Sequence, residues 1–396
     1  MLEIQELPSQ RDVPTGRARL IFSVTVLEGS VLTGAGLRPG RITFDQFIES
    51  VEVGAGETAP PYLIPGFIDT HVHGGAGADT MDGPEGVRRL ARFHLRHGTT
   101  TLLPTSVTAP WEKIVQALEG VAQVREEADP ELPEIPGAHL EGPFISSSRL
   151  GAQPPYPQAP VPEKLDALLD LDVVRLVTLA PEVPGALRAA RTLAAAGWRI
   201  GIGHTVATFE QVQALCTAVR EVSGTVGFTH LFNAMGGMMG REPGVVGAAL
   251  ADADSYAELI LDTHHVHPGS FLAALAAKAG RLHLITDAIR ACGSSDVESE
   301  LGGLRVTVTN GVAQYEDGTL AGSLLTLDQA LRNAVGVGVD LERAARLLSE
   351  VPATYLGLDD RGRLEEGLRA DLIVLDGALK VREVYVAGRK LVEAQA

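Results

Sequence analysis

Between residues 63 and about 290 the chain alternates two hydrophobic patterns. Short, nearly continuous apolar runs occupy residues 63–69, 99–104, 137–141, 173–180, 198–203, 226–230, 257–262 and 282–287. Runs of this length without a polar face predict strands buried on both sides. Between them, over 86–97, 111–127, 184–196, 209–222 and 270–279, apolar residues recur every three or four positions. That is the period of a helix with one buried face. Eight strands, each followed by a helix or by a long loop and a helix, predict an α/β fold, a (β/α)8 TIM-type barrel. A doubly wound open sheet is the competing arrangement, but no glycine-rich phosphate loop follows the first run.

The two ends follow a different pattern. Residues 19–55 and 368–393 are rich in β-formers, with glycine at the expected turns. Neither end is long enough to bury a core alone. The expectation is therefore one small β-sandwich from residues 1–63 and 351–396, beside a barrel of residues 64–350. The proline-rich stretch 153–162 (QPPYPQAPVP) predicts an irregular loop.

Composition narrows the function classes. Of 396 residues, 45% are hydrophobic and 21% charged, an ordinary globular balance. A net charge of −17 argues against nucleic acid or an anionic membrane as a partner. No apolar run approaches the ~18 residues of a membrane span, and no signal-peptide pattern opens the chain. With only Cys216 and Cys292, no disulfide framework is available, and the expected location is the cytoplasm.

In a barrel of this type, reactive groups collect at the carboxyl ends of the strands. Here the first strand ends in His71 and His73, the third in Glu141, the fifth in His204, the sixth in His230 and the eighth in Asp287. The seventh runs into Asp262, His264, His265 and His267. Histidines two apart on an extended chain share a face, and imidazole and carboxylate together suit a divalent metal. Six candidate ligands thus fall on one rim. The plainer alternative, several independently satisfied core histidines, requires that coincidence many times over.

These residues carry a family resemblance. PGFIDTHVHG (65–74) resembles the amidohydrolase superfamily. HLEGPF (139–144), VTLAPE (177–182), GHT (203–205), HLFNAM (230–235), REPG (241–244) and TDA (286–288) resemble the N-acetylglucosamine-6-phosphate deacetylases within it. The resemblance runs from about residue 60 to the carboxyl end. It implies a catalytic metal on Glu141, His204 and His230, lowering the pKa of a water so that hydroxide attacks an acetamide. Zinc is the first expectation for that metal; iron, manganese, cobalt or cadmium are alternatives, with one or two ions per chain. A second ion would sit on His71, His73 and Asp287, bridged by Glu141. The resemblance also implies Asp287 as general base and acid, and a phosphosugar held by Asn233, Ala234, Arg241, Asp262, His265 and the segment Leu320, Ala321, Gly322. It further implies a homodimer in which Arg241 reaches the partner's phosphate.

Two features depart from the superfamily or family pattern. Members with two tightly held metals often bridge them with a carbamylated lysine ending the fourth strand, yet none of the five lysines ends a strand of the barrel. Where the family usually has Gly-x-His after the third strand, this chain has Gly151, Ala152 and Gln153. A glutamine amide donates a hydrogen bond but cannot become cationic. This leaves the epimer and the phosphate requirement open, with another N-acyl amino sugar or a non-catalytic scaffold as alternatives. Of the remaining histidines, His94 and His97 read as solvated surface, and His139 and His283 as barrel interior.

Overall fold

The computed structural model describes residues 24–393. The β pattern predicted over 19–23 lies outside them. Eight parallel strands pair in chain order: β1 (Phe67–Val72), β2 (Thr99–Ser106), β3 (Ala138–Glu141), β4 (Val174–Leu179), β5 (Arg199–Ile202), β6 (Val226–Phe228), β7 (Tyr256–Ile260) and β8 (Leu282–Ile285). The helices α1 (Pro84–Leu95), α2 (Trp111–Glu127), α3 (Pro162–Leu171), α4 (Ala186–Ala195), α5 (Phe209–Arg220), α6 (Gly244–Ala251), α7 (Pro268–Ala277) and α8 (Leu327–Gly336) follow the strands in turn. The fold is the predicted (β/α)8 barrel.

Local chemistry starts and stops these elements. Proline opens α1, α3 and α7, where its missing N–H costs no hydrogen bond. Thr208 and Gln211 form a reciprocal capping box on α5. The strands are buried almost throughout, because helices cover the outside and side chains fill the inside. Leu140, fully buried within β3, contributes packing worth ~2–5 kcal/mol by the usual cost of a leucine-to-alanine change in a core.

The barrel closes without a continuous β8–β1 ladder. At the amino-terminal end Leu347 and Leu348 wedge between the two strands, their carbonyls accepting from Leu284 N and Ile68 N. At the other end Thr286 Oγ1 donates to Asp69 Oδ2 at 2.6 Å, and Asp287 N donates to His71 O at 2.8 Å. This second junction fixes Asp287 beside the β1 histidines.

A seven-stranded sheet draws on both ends of the chain. Its order is 389–393, 381–386, 372–375, 62–65, 25–33, 36–44 and 48–53. Phe44 and Tyr385, from the sixth and second strands of that order, meet edge to face at 5.2 Å, so the sheet curls around its own core. Tyr62–Pro65 is the joining strand, parallel to one terminal segment and antiparallel to the other. The predicted run 63–69 is thus two strands, since the chain leaves this sheet at Pro65 and enters the barrel at Phe67.

A three-stranded antiparallel sheet at 298–301, 304–309 and 312–314 was not anticipated. Its strands are short and largely exposed. Their signal is the apolar/polar alternation of LRVTVT (304–309) ending at the Asn310–Gly311 turn, where both residues have positive φ. Leu301, Val306 and Ala313 pack on Val107, Ile289 and Ala321, above the ends of β2 and β8.

Candidate metal centre

The six rim residues of the sequence reading converge, and all are at least nine-tenths buried. His204 Nε2 lies 3.0 Å from His230 Nε2, and the two lie 3.1 and 3.0 Å from Glu141 Oε1. Next to them His71 Nε2 and His73 Nε2 are 3.2 Å apart. Glu141 Oε2 is 3.1 Å from His73 Nε2, and Glu141 Oε1 is 3.4 Å from His71 Nε2. Asp287 Oδ1 completes this half at 3.3 Å from His73 and 3.6 Å from His71.

Tautomers decide what this convergence means. His73 Nδ1 faces the Thr105 carbonyl at 3.1 Å, and His204 Nδ1 faces the Arg149 carbonyl at 2.9 Å. A carbonyl only accepts, so the neutral rings carry their proton on Nδ1 and aim the Nε2 lone pair at Glu141. His71 Nδ1 likewise faces a carboxylate, that of Glu258, at 3.3 Å. Lone pairs and carboxylate oxygens packed this closely repel one another unless a positive charge sits among them. Ligands ~2.1 Å from a tetrahedral ion lie ~3.4 Å apart, close to the spacings here. Two ligand sets share Glu141: His71 with His73, and His204 with His230. The donor set therefore fits a divalent metal.

The electrostatics agree. Burial alone lowers the His73 imidazole, but hydrogen bonds to Asp287 and Glu141 outweigh it and lift it to about 9. Burial likewise raises Asp287, yet the charges of His71 and His73 and a hydrogen bond to His73 hold it at about 2. The carboxylates draw positive charge into the cluster, and a cation serves where those protons would otherwise be.

Backbone geometry delivers these side chains. His204, His230 and Asp287 adopt positive φ values of 48°, 33° and 49°, a region L-residues seldom occupy. Each follows a barrel strand, and the turn aims its side chain across the mouth instead of outward. Strain gathered at three potential ligands marks a functional rim.

The other predicted residues lie around this centre. Gln153 is buried and points inward: Thr108 N–H donates to its Oε1 at 2.6 Å, and its Nε2 donates to Glu141 Oε2 at 2.5 Å. Ala152 O accepts from Tyr315 Oη at 2.7 Å, which ties this loop to the three-stranded sheet. Asn233 and Ala234 follow His230, and Ala234 O accepts from Thr205 N, linking the ends of β5 and β6. Asp262 Oδ2 holds His265 Nδ1 at 2.6 Å. Burial lowers the His265 imidazole, but that contact more than restores it. Leu320, Ala321 and Gly322 run beside the end of β8, where Ser323 N donates to Asp287 O at 2.8 Å. Gly322 has φ +59°, and a Cβ there would lie 2.9 Å from Asp287 O. Arg241 stands apart, exposed on a loop with Met238 and Met239.

One reading is corrected, and one residue was missed. His94 is not solvated: it is fully buried, with Nε2 2.9 Å from Gly74 O, because α1 packs on the loop after β1. His139 and His283 lie in the interior as read. Glu258, buried on β7 against His71, was not singled out; its signal is a glutamate inside the apolar run YAELI.

The amidohydrolase family model matches residues 62–391. The chain belongs to the amidohydrolase family. It is similar to an N-acetylgalactosamine-6-phosphate deacetylase of Escherichia coli O157:H7, 40% identical over 86% of this chain and 91% of the relative. An N-acetylglucosamine-6-phosphate deacetylase of Lysinibacillus sphaericus is 38% identical over 89% and 92%. Among solved structures, a mutant N-acetyl-D-glucosamine-6-phosphate deacetylase of Mycobacterium smegmatis, in complex with N-acetyl-D-glucosamine-6-phosphate, superposes with a TM-score of 0.86. It is 37% identical and covers 93% of this chain and 99% of its own. This amidohydrolase is thus a metal-dependent hydrolase. Among its described residues no helix is long and apolar enough to cross a membrane.

Proposed function

We propose that this amidohydrolase removes the acetyl group from N-acetylglucosamine 6-phosphate, yielding glucosamine 6-phosphate and acetate. The observation that carries the reading is the convergence of four imidazole Nε2 atoms and two carboxylates on one buried point at the barrel mouth. Glu141, His204 and His230 would hold one ion; His71, His73 and Asp287 would hold a second, with Glu141 between them. Imidazole and carboxylate donors suit zinc. When bound, such an ion supplies Lewis acidity, lowering the pKa of water in the site and polarising an amide carbonyl.

The chain's own groups do the rest. Asp287, a carboxylate 3.3 Å from His73, takes the proton of the attacking water and passes it to the departing nitrogen. The new C–O bond forms at the acetamide carbon first, and the C–N bond breaks once its nitrogen has received the proton, so acetate and a free amine leave. Gln153 holds Glu141 through one oxygen and leaves the other facing His204 and His230. Asp262 fixes the ring of His265, whose second nitrogen remains for a sugar hydroxyl. Arg241 suits phosphate through its planar fork of donors, and its exposed loop favours use across a homodimer interface. The buried, unpaired cysteines support a reducing cytoplasm.

The galactosamine epimer is a second reading, supported by the 40% identical relative named for it. Acetate release from both 6-phosphates and from unphosphorylated N-acetylglucosamine decides between them. The proposal expects the glucosamine phosphate to give the highest kcat/KM; a higher value for its epimer would overturn that choice.

A further inference from the structure

The barrel interior beneath the metal centre holds a buried carboxylate. Glu258 lies in the middle of β7, 1% exposed, among residues that are otherwise apolar. Burying a carboxylate is costly, and an apolar residue of the same volume packs more cheaply. Its hydrogen bonds run in one direction. Thr70 Oγ1 is 2.8 Å from Glu258 Oε1 and must donate to it, since a carboxylate only accepts. The Thr70 oxygen then accepts from His283 Nε2 at 3.0 Å. The second oxygen, Glu258 Oε2, lies 3.3 Å from His71 Nδ1.

Partners differ among the four rim histidines. His73 and His204 face neutral backbone carbonyls through Nδ1, and His230 Nδ1 has no partner among the described residues. Only His71 faces a charged group there. A carboxylate on the far nitrogen fixes the tautomer, locks the ring plane and makes Nε2 a stronger donor to a metal.

We propose that Glu258 is a positioning residue, which with Thr70 holds His71 as a ligand of the second metal. The inference rests on the two-metal reading above. It gives the His71 half of the centre an anionic support that the His204–His230 half lacks.

The test is an equilibrium titration of the full chain, stripped of metal and loaded with Zn2+ against a competing chelator. Wild type is compared with Glu258→Gln and Thr70→Val. The expected result is two binding events in wild type. Glu258→Gln should weaken one of them tenfold to a hundredfold, the usual effect of removing such a partner, and leave the other within about threefold. Thr70→Val should weaken the same event by at least about threefold, because Glu258 loses the hydroxyl that pins it. Unchanged constants in both variants, or equal weakening of both events, would overturn the positioning role. If Glu258→Gln does not fold, Thr70→Val alone decides by the same criterion. A wild-type chain that takes up a single ion overturns the two-metal reading itself, and this inference with it.

Discussion

Gln153 donates its amide hydrogen to Glu141 Oε2 at 2.5 Å while its own oxygen is held by Thr108 N–H at 2.6 Å. The backbone contact sets which end of the amide is the donor. The glutamine therefore acts first on Glu141, and it reaches a substrate only from that anchored position. Gln153→Ala should free Glu141 and leave Thr108 N–H without a partner. Metal affinity is expected to fall roughly tenfold to a hundredfold. Zinc content after dialysis, read beside kcat, checks this; full retention of both would leave Gln153 without a role at the centre.

His204 and His230 each supply one of three donors to the Glu141 half of the site. Replacing either with alanine leaves two, fewer than a stable shell requires. Both variants are expected to lose bound metal and turnover together. Metal analysis and acetate release on the same preparation test it.

Asp287 lies 3.3 Å from His73 and is held ionised by its neighbours. Asp287→Asn keeps the shape but cannot take a proton, so kcat should fall by a general base's usual contribution of about two to four orders of magnitude. The apparent affinity for substrate should change little, because the proposed phosphate contacts lie elsewhere. Near-native kcat would remove Asp287 from its role as base.

Arg241 sits on the exposed loop after β6. Arg241→Ala should raise KM for the phosphosugar roughly tenfold to a hundredfold, the worth of a charge-assisted hydrogen bond, and spare the unphosphorylated sugar. If the arginine acts across a dimer, mixing the inactive Asp287→Asn chain with the weakly binding Arg241→Ala chain should restore turnover at low phosphosugar concentration in heterodimers. Equal losses on both sugars would assign Arg241 to the fold instead.

Burial lowers the His94 imidazole to about 4, against the opposing pull of the Gly74 carbonyl and the Asp328 charge. The unfolded chain binds this proton near pH 6.5, well above the folded one. Stability from His94 is therefore fully present above pH 6.5 and is lost as pH falls from there to about 4, by about 3 kcal/mol in all. His94→Gln keeps a donor for Gly74 O and should flatten the denaturation midpoint across that window relative to wild type. Parallel curves would contradict the assignment.

The barrel and its rim were legible because both rest on strong local signals. Unbroken apolar strands repeat eight times, and the histidines and carboxylates occur where those strands end. His71 and His73 could be read as sharing a face from their spacing alone. What escaped depended on packing across the chain. The run 63–69 hides a change of sheet at Gly66, which no period reveals. His94 looks solvated beside Arg92 and Arg96, yet α1 turns it onto the loop after β1. Glu258 has meaning only through His71, 187 residues away in sequence. The small sheet at 298–314 was legible and passed over: LRVTVT (304–309) alternates apolar and polar residues up to the Asn310–Gly311 turn.

A divalent metal in the Glu141 cluster is proposed here to drive phosphosugar deacetylation. The most direct test is acetate release from N-acetylglucosamine 6-phosphate by the full chain, before chelation, after it, and after Zn2+ is returned. Turnover should disappear with the metal and recover in proportion to the zinc rebound. Undiminished turnover in the metal-free chain, or no acetate from a fully loaded one, would contradict it.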